Sequence, residues 1–337
     1  MPKTRQTSGL RFLRTRRIKL LSNWRYAAIN KTKGVHIVNK STVGAAWVAF
    51  IIVLTACTTE NEASQQDLTK AASNVLEVSI SGHTFRAPDT LDAGWTTFRF
   101  ANNGDDIHYA HIVRLEAGRT AADVVNAYAE AIRTSAPRPT WLTRFGGPGA
   151  AVPGDTSNVT QYVEPGSYVW LCPVEDSAGV PHFSIGEFRT FVVRSAPPGA
   201  AERAAAPTAT LSIRLQDYSF AFDSALKAGQ HTIRVKNEGA QGHDLVLMKL
   251  APGKTAEDIA MSLNPERARR SDQKDQPIPP LESLGSPIGG IATIRPAMEV
   301  FFTTTLTPGE YVLICMTTAP DGRSHIEHGM IQQIRIQ

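Results

Sequence analysis

Apolar and polar residues alternate through several short segments of the chain, and the same pattern occurs in its two halves. Residues 75–80 and 209–215 alternate with a period of two. This period places successive side chains on opposite faces of an extended strand. Further strands are predicted at 95–101, 168–172, 188–193, 231–235, 311–315 and 331–336. The chain is therefore predicted to be mainly β.

One helix is predicted in each half, at 120–133 and at 255–263. Thr120 and Thr255 open these segments, and each is followed three residues later by an aspartate. This spacing is similar to that of a capping box. Roughly seven short strands with one inserted helix in about 120 residues are typical of an antiparallel sandwich. Two such sandwiches in tandem give an all-β fold class.

The two halves form an internal repeat. The first matches are 135 positions apart, and after an insertion the offset becomes 143. The matched pairs are Asn102 and Asn237, His108 and His243, Cys172 and Cys315, and His182 and His325. The repeat predicts a first domain at 75–194, an Ala- and Pro-rich linker at 195–207, and a second domain at 208–337.

Basic residues are concentrated at the N-terminus. Residues 1–40 contain eleven of the 35 Lys and Arg and no acidic residue. From Cys57 onward there are 24 basic and 31 acidic residues, a net charge of −7, although the whole chain carries +4. No basic patch with interleaved aromatic residues occurs in this acidic part, so we expect no nucleic-acid partner.

The segment 43–56 is apolar apart from Thr55, follows Lys40, and is too short for a comfortable transmembrane helix. It ends in Leu54-Thr55-Ala56-Cys57, which resembles the lipobox of bacterial lipoproteins. The resemblance implies a signal peptide at 1–57, lipid attached to Cys57, and a flexible tether at 58–74. The protein would then be extracytoplasmic and anchored to a membrane, in the periplasm or at the cell surface. The alternative is a short anchor that is never cleaved.

Four residues with metal-binding side chains follow one another in the second half: His243, Cys315, His325 and Met330. Two imidazoles, a thiolate and a weak thioether form the ligand set of a blue-copper site. Thiolate sulfur stabilises Cu(I), whereas imidazole suits both oxidation states. The alternative is a buried cysteine that acts as a small hydrophobic residue beside histidines satisfied in loops.

The order of these residues resembles that of the cupredoxin, or blue type 1 copper, family. Nine residues separate Cys315 from His325, and four separate His325 from Met330. The resemblance extends over nearly all of 75–337 and implies two tandem Greek-key sandwiches. It implies equatorial ligands at His243, Cys315 and His325, an axial ligand at Met330, and one type 1 copper in the second domain.

Two residues near this set are ambiguous. His328 is a possible alternative to His325, although the repeat favours His325. Asp244 stands where family members often have Asn, directly after the first His, as a brace for the cysteine loop. Its carboxylate is expected either to lower the redox potential or to face the solvent.

The first half contains an altered version of the set. His108, Cys172 and His182 are present, but Glu187 occupies the position that matches Met330. A carboxylate is a hard ligand that favours Cu(II) or zinc. A weaker, degenerate metal site and a metal-free domain therefore both remain open. His111 is a spare imidazole, and His83 is predicted to be an exposed turn residue.

The expected function is one-electron transfer through the type 1 copper to an unidentified redox protein, on a membrane reached through the lipid anchor. The alternatives are a metal-free interaction or ligand-binding lipoprotein, and copper storage or delivery. Multicopper oxidases and copper nitrite reductases also consist of cupredoxin domains, in which a histidine adjoins the ligand cysteine. Neither Cys172 nor Cys315 has such a neighbour, so we expect no enzymatic activity of that kind.

Overall fold

The computed structural model describes residues 74–134, 136–197, 205–264 and 277–337. The predicted signal peptide, Cys57, the tether up to residue 73 and the middle of the linker lie outside the described residues. None of the described helices is long and apolar enough to cross a membrane. The described residues form two β-sandwiches, one from each half of the repeat.

The first half is built from nine strands and one α-helix within the described residues. They are β1 (Asn74–Ser81), β2 (Thr84–Arg86), β3 (Thr90–Asp92), β4 (Gly94–Asn102), β5 (His111–Leu115), α1 (Ala121–Thr134), β6 (Thr143–Arg144), β7 (Thr156–Val163), β8 (Gly166–Leu171) and β9 (Phe188–Arg194).

The second half repeats this order with eight strands and one α-helix in its described part. They are β10 (Leu211–Gln216), β11 (Ser219–Phe222), β12 (Gly229–Asn237), β13 (His243–Leu250), α2 (Ala256–Leu263), β14 (Gly285–Ile294), β15 (Glu299–Leu306), β16 (Gly309–Ile314) and β17 (Ile331–Ile336).

Both predicted helices are confirmed within one residue at each end. The Thr255 hydroxyl accepts a hydrogen bond from the Asp258 amide, and the Asp258 carboxylate accepts one from the Thr255 amide. Thr120 and Asp123 make the same reciprocal bonds at the start of α1. Each aspartate therefore takes the place of the glutamate in a capping box, because its carboxylate accepts a hydrogen bond from a backbone amide that the helix leaves unpaired.

The strands form three sheets within the described residues. One has the order β3-β9-β8-β5-β6, and another has the order β14-β13-β16-β17. The third has eight strands in the order β11-β10-β12-β15-β7-β4-β1-β2 and draws on both halves. The predicted pair of tandem β-sandwiches is confirmed. Most strand pairs are antiparallel, and β1–β4, β10–β12 and β3–β9 are parallel.

The eight-stranded sheet joins the two halves through β7 and β15. Val300 pairs with Gln161, and Phe301 pairs with Thr160. The Asn158 side chain extends the ladder, since its amide oxygen accepts from the Thr303 amide at 2.8 Å and its nitrogen donates to the Thr303 carbonyl at 2.9 Å. The sandwiches therefore share one hydrogen-bonded sheet.

A glycine-rich segment, 146–149, forms a second contact between the halves. The Gly146 amide donates to the Thr293 carbonyl, and the Ala292 amide donates to the Gly147 carbonyl, both at 2.9 Å. A Cβ atom on Gly149 would lie 2.8 Å from the carbonyl carbon of Gly290. The segment is rich in glycine because two backbones meet there without side chains between them, and no helix follows it directly.

We expect Gly147→Ala to destabilise the protein more than Gly154→Ala. Both residues have positive φ, +110° and +77°. A Cβ on Gly147 would lie 2.1 Å from the Ala110 carbonyl oxygen, whereas one on Gly154 meets no atom within 4 Å. The backbone strain is shared by both variants, and the overpacking adds about 1–3 kcal/mol in Gly147→Ala alone. Urea unfolding followed by circular dichroism measures the difference. Equal losses would show that the segment 146–149 can relax.

Candidate metal centre

The strand ends of the second sandwich bring the predicted donors together. His243 is the first residue of β13, Cys315 directly follows β16, and Met330 directly precedes β17. β16 pairs with both β13 and β17, so these three ends lie at one end of the four-stranded sheet. His325 lies in the loop that connects β16 with β17.

Three donor atoms converge at this point. The Cys315 sulfur lies 3.3 Å from Nδ1 of His325 and 3.8 Å from Nδ1 of His243. The two Nδ1 atoms are 3.1 Å apart. All three side chains are fully buried. The sequence-predicted histidines and cysteine of the second half therefore share one small, buried volume.

A hydrogen-bond acceptor on the outer side of each ring fixes the orientation of the two imidazoles and the nitrogen that carries the proton. Nε2 of His243 lies 2.9 Å from a carboxylate oxygen of Asp217, and Nε2 of His325 lies 3.3 Å from the amide oxygen of Gln241. The Gln241 amide nitrogen donates to the Tyr218 hydroxyl, which turns its oxygen toward His325. With a proton on each Nε2, both Nδ1 lone pairs point at the Cys315 sulfur.

Burial sets the charge of these groups. It lowers the pKa of His243, and together with the neighbouring His243 and Arg144 it lowers the pKa of His325 to about 3. Burial, reinforced by the Asp244 carboxylate, raises the pKa of the Cys315 thiol well above its ordinary value. At neutral pH the metal-free site therefore holds two neutral imidazoles and a thiol. Converging lone pairs of this kind fit a cation that displaces the thiol proton.

Met330 is held beside the site by its own backbone. Its amide donates to the His325 carbonyl at 2.8 Å, and its carbonyl accepts from the Cys315 amide at 3.2 Å. The side chain is fully buried. His328 points elsewhere: its Nε2 lies 3.1 Å from Asp321, and it does not belong to the group of converging donors.

Asp244 is buried and does not face the solvent. One carboxylate oxygen accepts from the Met316 amide at 2.7 Å, and the other lies 3.3 Å from the Thr317 hydroxyl. The residue therefore braces the chain that follows Cys315, as the Asn expected at this position would. The expected exposure of its carboxylate to solvent is therefore wrong, and its expected effect on the redox potential stays a prediction.

The matching residues of the first half, His108, Cys172 and His182, also lie together and are buried, but they surround the carboxylate of Glu187. Glu187 lies 2.7 Å from Nδ1 of His108 and 3.2 Å from Nδ1 of His182. The Cys172 sulfur lies 3.6 Å from Nδ1 of His182 and 4.0 Å from Nδ1 of His108. Burial raises the pKa of Glu187, but hydrogen bonds from both histidines outweigh it and leave the pKa at about 2.

The two sites therefore differ in the direction of their imidazole protons. In the first half, Nε2 of His182 is buried without an acceptor in the described chain. Its Nδ1 faces the ionised Glu187, so the proton belongs on Nδ1. Glu187 thus accepts hydrogen bonds from Nδ1 of His108 and His182. In the second half, the Nδ1 atoms of the two matching histidines instead point lone pairs at the cysteine sulfur. Of the two donor sets, the one in the second half is the set of a type 1 copper ion.

The expectation for His83 was wrong in one respect. Its side chain is 39% exposed, but its Nδ1 lies 3.1 Å from Glu187, and its ring centroid is 4.9 Å from that of His182. His83 thus adds a third imidazole to the first-half cluster. Comparison of the two halves did not reveal His83 as a site residue, because its match in the second half is Tyr218, which is not a metal-binding side chain. Tyr218 nevertheless packs on the second-half site, against His325.

The two sandwiches, with their donors at strand ends, form a tandem cupredoxin-like fold. No protein-family model matches the chain, and no curated protein matches it. Among solved structures, a dithionite-reduced auracyanin from Roseiflexus castenholzii is 22% identical with a TM-score of 0.27, over 37% of this chain and 99% of that one. Auracyanin A of Chloroflexus aurantiacus, a "blue" copper protein, is 24% identical with a TM-score of 0.26, over 36% and 98%.

A multicopper oxidase is similar over a larger part of the chain. It is 10% identical with a TM-score of 0.20, over 78% of this chain and 88% of that one.

We expect binding of one Cu(II) to release about one proton between roughly pH 6 and 8. The thiol must lose its proton, because burial holds its pKa high, whereas both imidazoles are already neutral. Affinity should therefore rise about tenfold per pH unit as the pH increases. Calorimetry in two buffers of different ionisation enthalpy counts the protons.

The measurement is made on Cys172→Ser, so that the first-half thiol does not contribute. Release of about three protons would contradict the assigned neutral imidazoles. Release of none would show that the Cys315 thiol is not displaced.

Proposed function

We propose that this protein transfers single electrons through one type 1 copper held by His243, Cys315 and His325, with Met330 as the axial ligand. The observation that carries the proposal is the convergence of two imidazole lone pairs and a thiol in a fully buried volume. When bound, copper supplies a centre that alternates between Cu(I) and Cu(II).

The surrounding residues suit this role because they hold the donors in one arrangement. Asp217 and Gln241 fix the rings from outside, and Asp244 fixes the chain after the cysteine. Donors held in this way present nearly the same geometry to both oxidation states, so little reorganisation would accompany the transfer of an electron.

An oxidase or reductase role has less support. Cys315 lies between Ile314 and Met316, and Cys172 lies between Leu171 and Pro173. Neither cysteine therefore has a neighbouring histidine through which electrons would reach a second, catalytic copper. The Glu187-centred cluster of the first half is the remaining candidate for a second metal, and its hard carboxylate suits electron transfer poorly.

The proposal includes a location. The lipobox-like sequence that ends at Cys57 supports lipid attachment to that residue and exposure of both domains outside the cytoplasm. The acidic net charge after Cys57 suits a protein that faces a redox partner rather than nucleic acid. The partner would be another redox protein close to the same membrane.

Serine substitution of the two described cysteines should have opposite outcomes. Cys315→Ser should abolish the intense visible band of thiolate-to-copper charge transfer, because the thiolate is the strong ligand. The matched change Cys172→Ser should leave the band and the copper stoichiometry of the full chain unchanged, because Glu187 already occupies the imidazoles there. Absorption spectra and metal analysis after desalting measure both.

A colourless wild-type protein that retains no copper would refute the proposal. Loss of half the copper in Cys172→Ser would show that the first site is also filled. Repeated reduction and oxidation separates electron transfer from copper delivery, since a carrier keeps its metal through every cycle.

Cys57→Ser should release the protein from the membrane fraction without changing its visible spectrum. The lipid supplies the anchor, since the apolar segment of about 14 residues spans only about 21 Å as a helix, less than the roughly 30 Å bilayer core. Stable anchoring needs more than one acyl chain. Fractionation and mass spectrometry of the native protein test this. Mature protein that retains an unlipidated segment 1–56 would refute the assignment.

A further inference from the structure

A cavity of about 60 Å³ lies where the two halves meet, and none of the metal-binding donor residues lines it. Most of its polar lining comes from the first half. The polar residues on its wall include His111, Tyr128, Arg138 and Arg144 from the first half and Asp244 and Thr293 from the second. The spare imidazole of the sequence, His111, therefore belongs to this cavity and not to the His108 cluster.

The cavity has an excess of positive charge. Neither Arg138 nor Arg144 has an ion-pair partner in the described parts of the chain, and Arg144 only reaches the Thr293 hydroxyl at 3.4 Å. Burial first, and then Arg138, lowers the pKa of Arg144 to about 10, which leaves it charged at neutral pH. Burial and the two arginines lower the pKa of His111 to about 3, so this ring is neutral.

Asp244 does not cancel this charge. It is the carboxylate on the cavity wall, and its oxygens are engaged by the Met316 amide and the Thr317 hydroxyl. It makes no salt bridge within 4.0 Å to either arginine in the described structure. Even with Asp244 ionised, two guanidinium groups face one carboxylate, which leaves at least one positive charge to be balanced.

Two buried polar groups on the wall are unpaired. The Tyr128 hydroxyl and Nε of Arg138 have no hydrogen-bond partner in the described residues, although Tyr128 is only 1% exposed. The Arg138 guanidinium lies over the Tyr128 ring, 4.7 Å from its centroid. A buried hydroxyl and N–H that stay unpaired are costly. Nε of Arg138 can only donate and the Tyr128 hydroxyl can donate, so an acceptor in the cavity would satisfy both.

We propose that this cavity binds a small monovalent oxyanion or carboxylate between the guanidinium groups of Arg138 and Arg144, with the Tyr128 hydroxyl as an additional donor. A planar anion of this kind accepts paired hydrogen bonds from a guanidinium fork. A cavity needs about 10–15 Å³ on this measure to hold one water, so there is room for about four waters. Formate, acetate and nitrate are of suitable size.

An anion in this cavity would also act on the metal centre. Met316 and Thr317, which directly follow Cys315, lie on the wall together with Asp244, which directly follows His243. A negative charge there would therefore change the field at the donors of the second half. This second step rests on the proposed copper function, whereas anion binding itself does not.

The test is calorimetric titration of the metal-free full-length protein with sodium formate, acetate and nitrate, with chloride balancing the ionic strength. At least one of the three should bind saturably with one site per chain. Arg138→Gln and Tyr128→Phe should each weaken binding at least about tenfold, because each removes a hydrogen bond to a charged ligand. Arg119→Gln is the matched control, since Arg119 also lies over an aromatic ring, that of Trp141, but does not line the cavity.

Heats without saturation for all three anions would overturn the proposal. So would equal affinity in wild type, Arg138→Gln and Tyr128→Phe. Tyr128→Phe removes one oxygen from a buried ring and keeps its shape, so it decides the question if Arg138→Gln does not fold. A shift of the visible band on adding the anion to copper-loaded protein tests the second step alone.

Discussion

Two imidazole nitrogens and one thiol sulfur share a single buried volume at the end of the second sandwich, and each ring is held from behind by an acceptor. Asp217 and Gln241 keep the protons on the outer nitrogens, so the inner lone pairs have no proton between them. Two Nδ1 lone pairs 3.1 Å apart repel each other unless a proton or a metal ion lies between them. The strand ends, the Asp244 brace and the Met330 backbone all maintain this arrangement.

Much of this organisation was predictable from the sequence, because it depends on spacing and periodicity. The repeat predicted both sandwiches, and the order of His243, Cys315 and His325 predicted which side chains would meet. β13 was not predicted as a strand, because its residues are buried on both faces and show no alternation. Asp217 and Gln241 were not predicted either, since no spacing rule connects an outer acceptor with the ring it holds.

The two halves show how a change at one position alters a whole cluster. In the second half, where Met330 stands, the imidazoles face the cysteine sulfur. In the first half, Glu187 stands at the matching position and contacts His108, His182 and also His83. The exchange of thioether for carboxylate was evident from the repeat. Its effect on the ring protons was not, because proton positions follow from the acceptors that the fold places around each ring.

The eight-stranded sheet has a consequence for how the chain reaches its native state. β7 and β15 are interior strands only because they pair with each other. In either half alone, one of them would become an edge with unpaired amides and carbonyls, which is a template for pairing with another chain. During synthesis the first half emerges before its partner, so β7 must stay unpaired until β15 arrives. Self-association is therefore the main hazard for a truncated half or for a chain whose translation stalls.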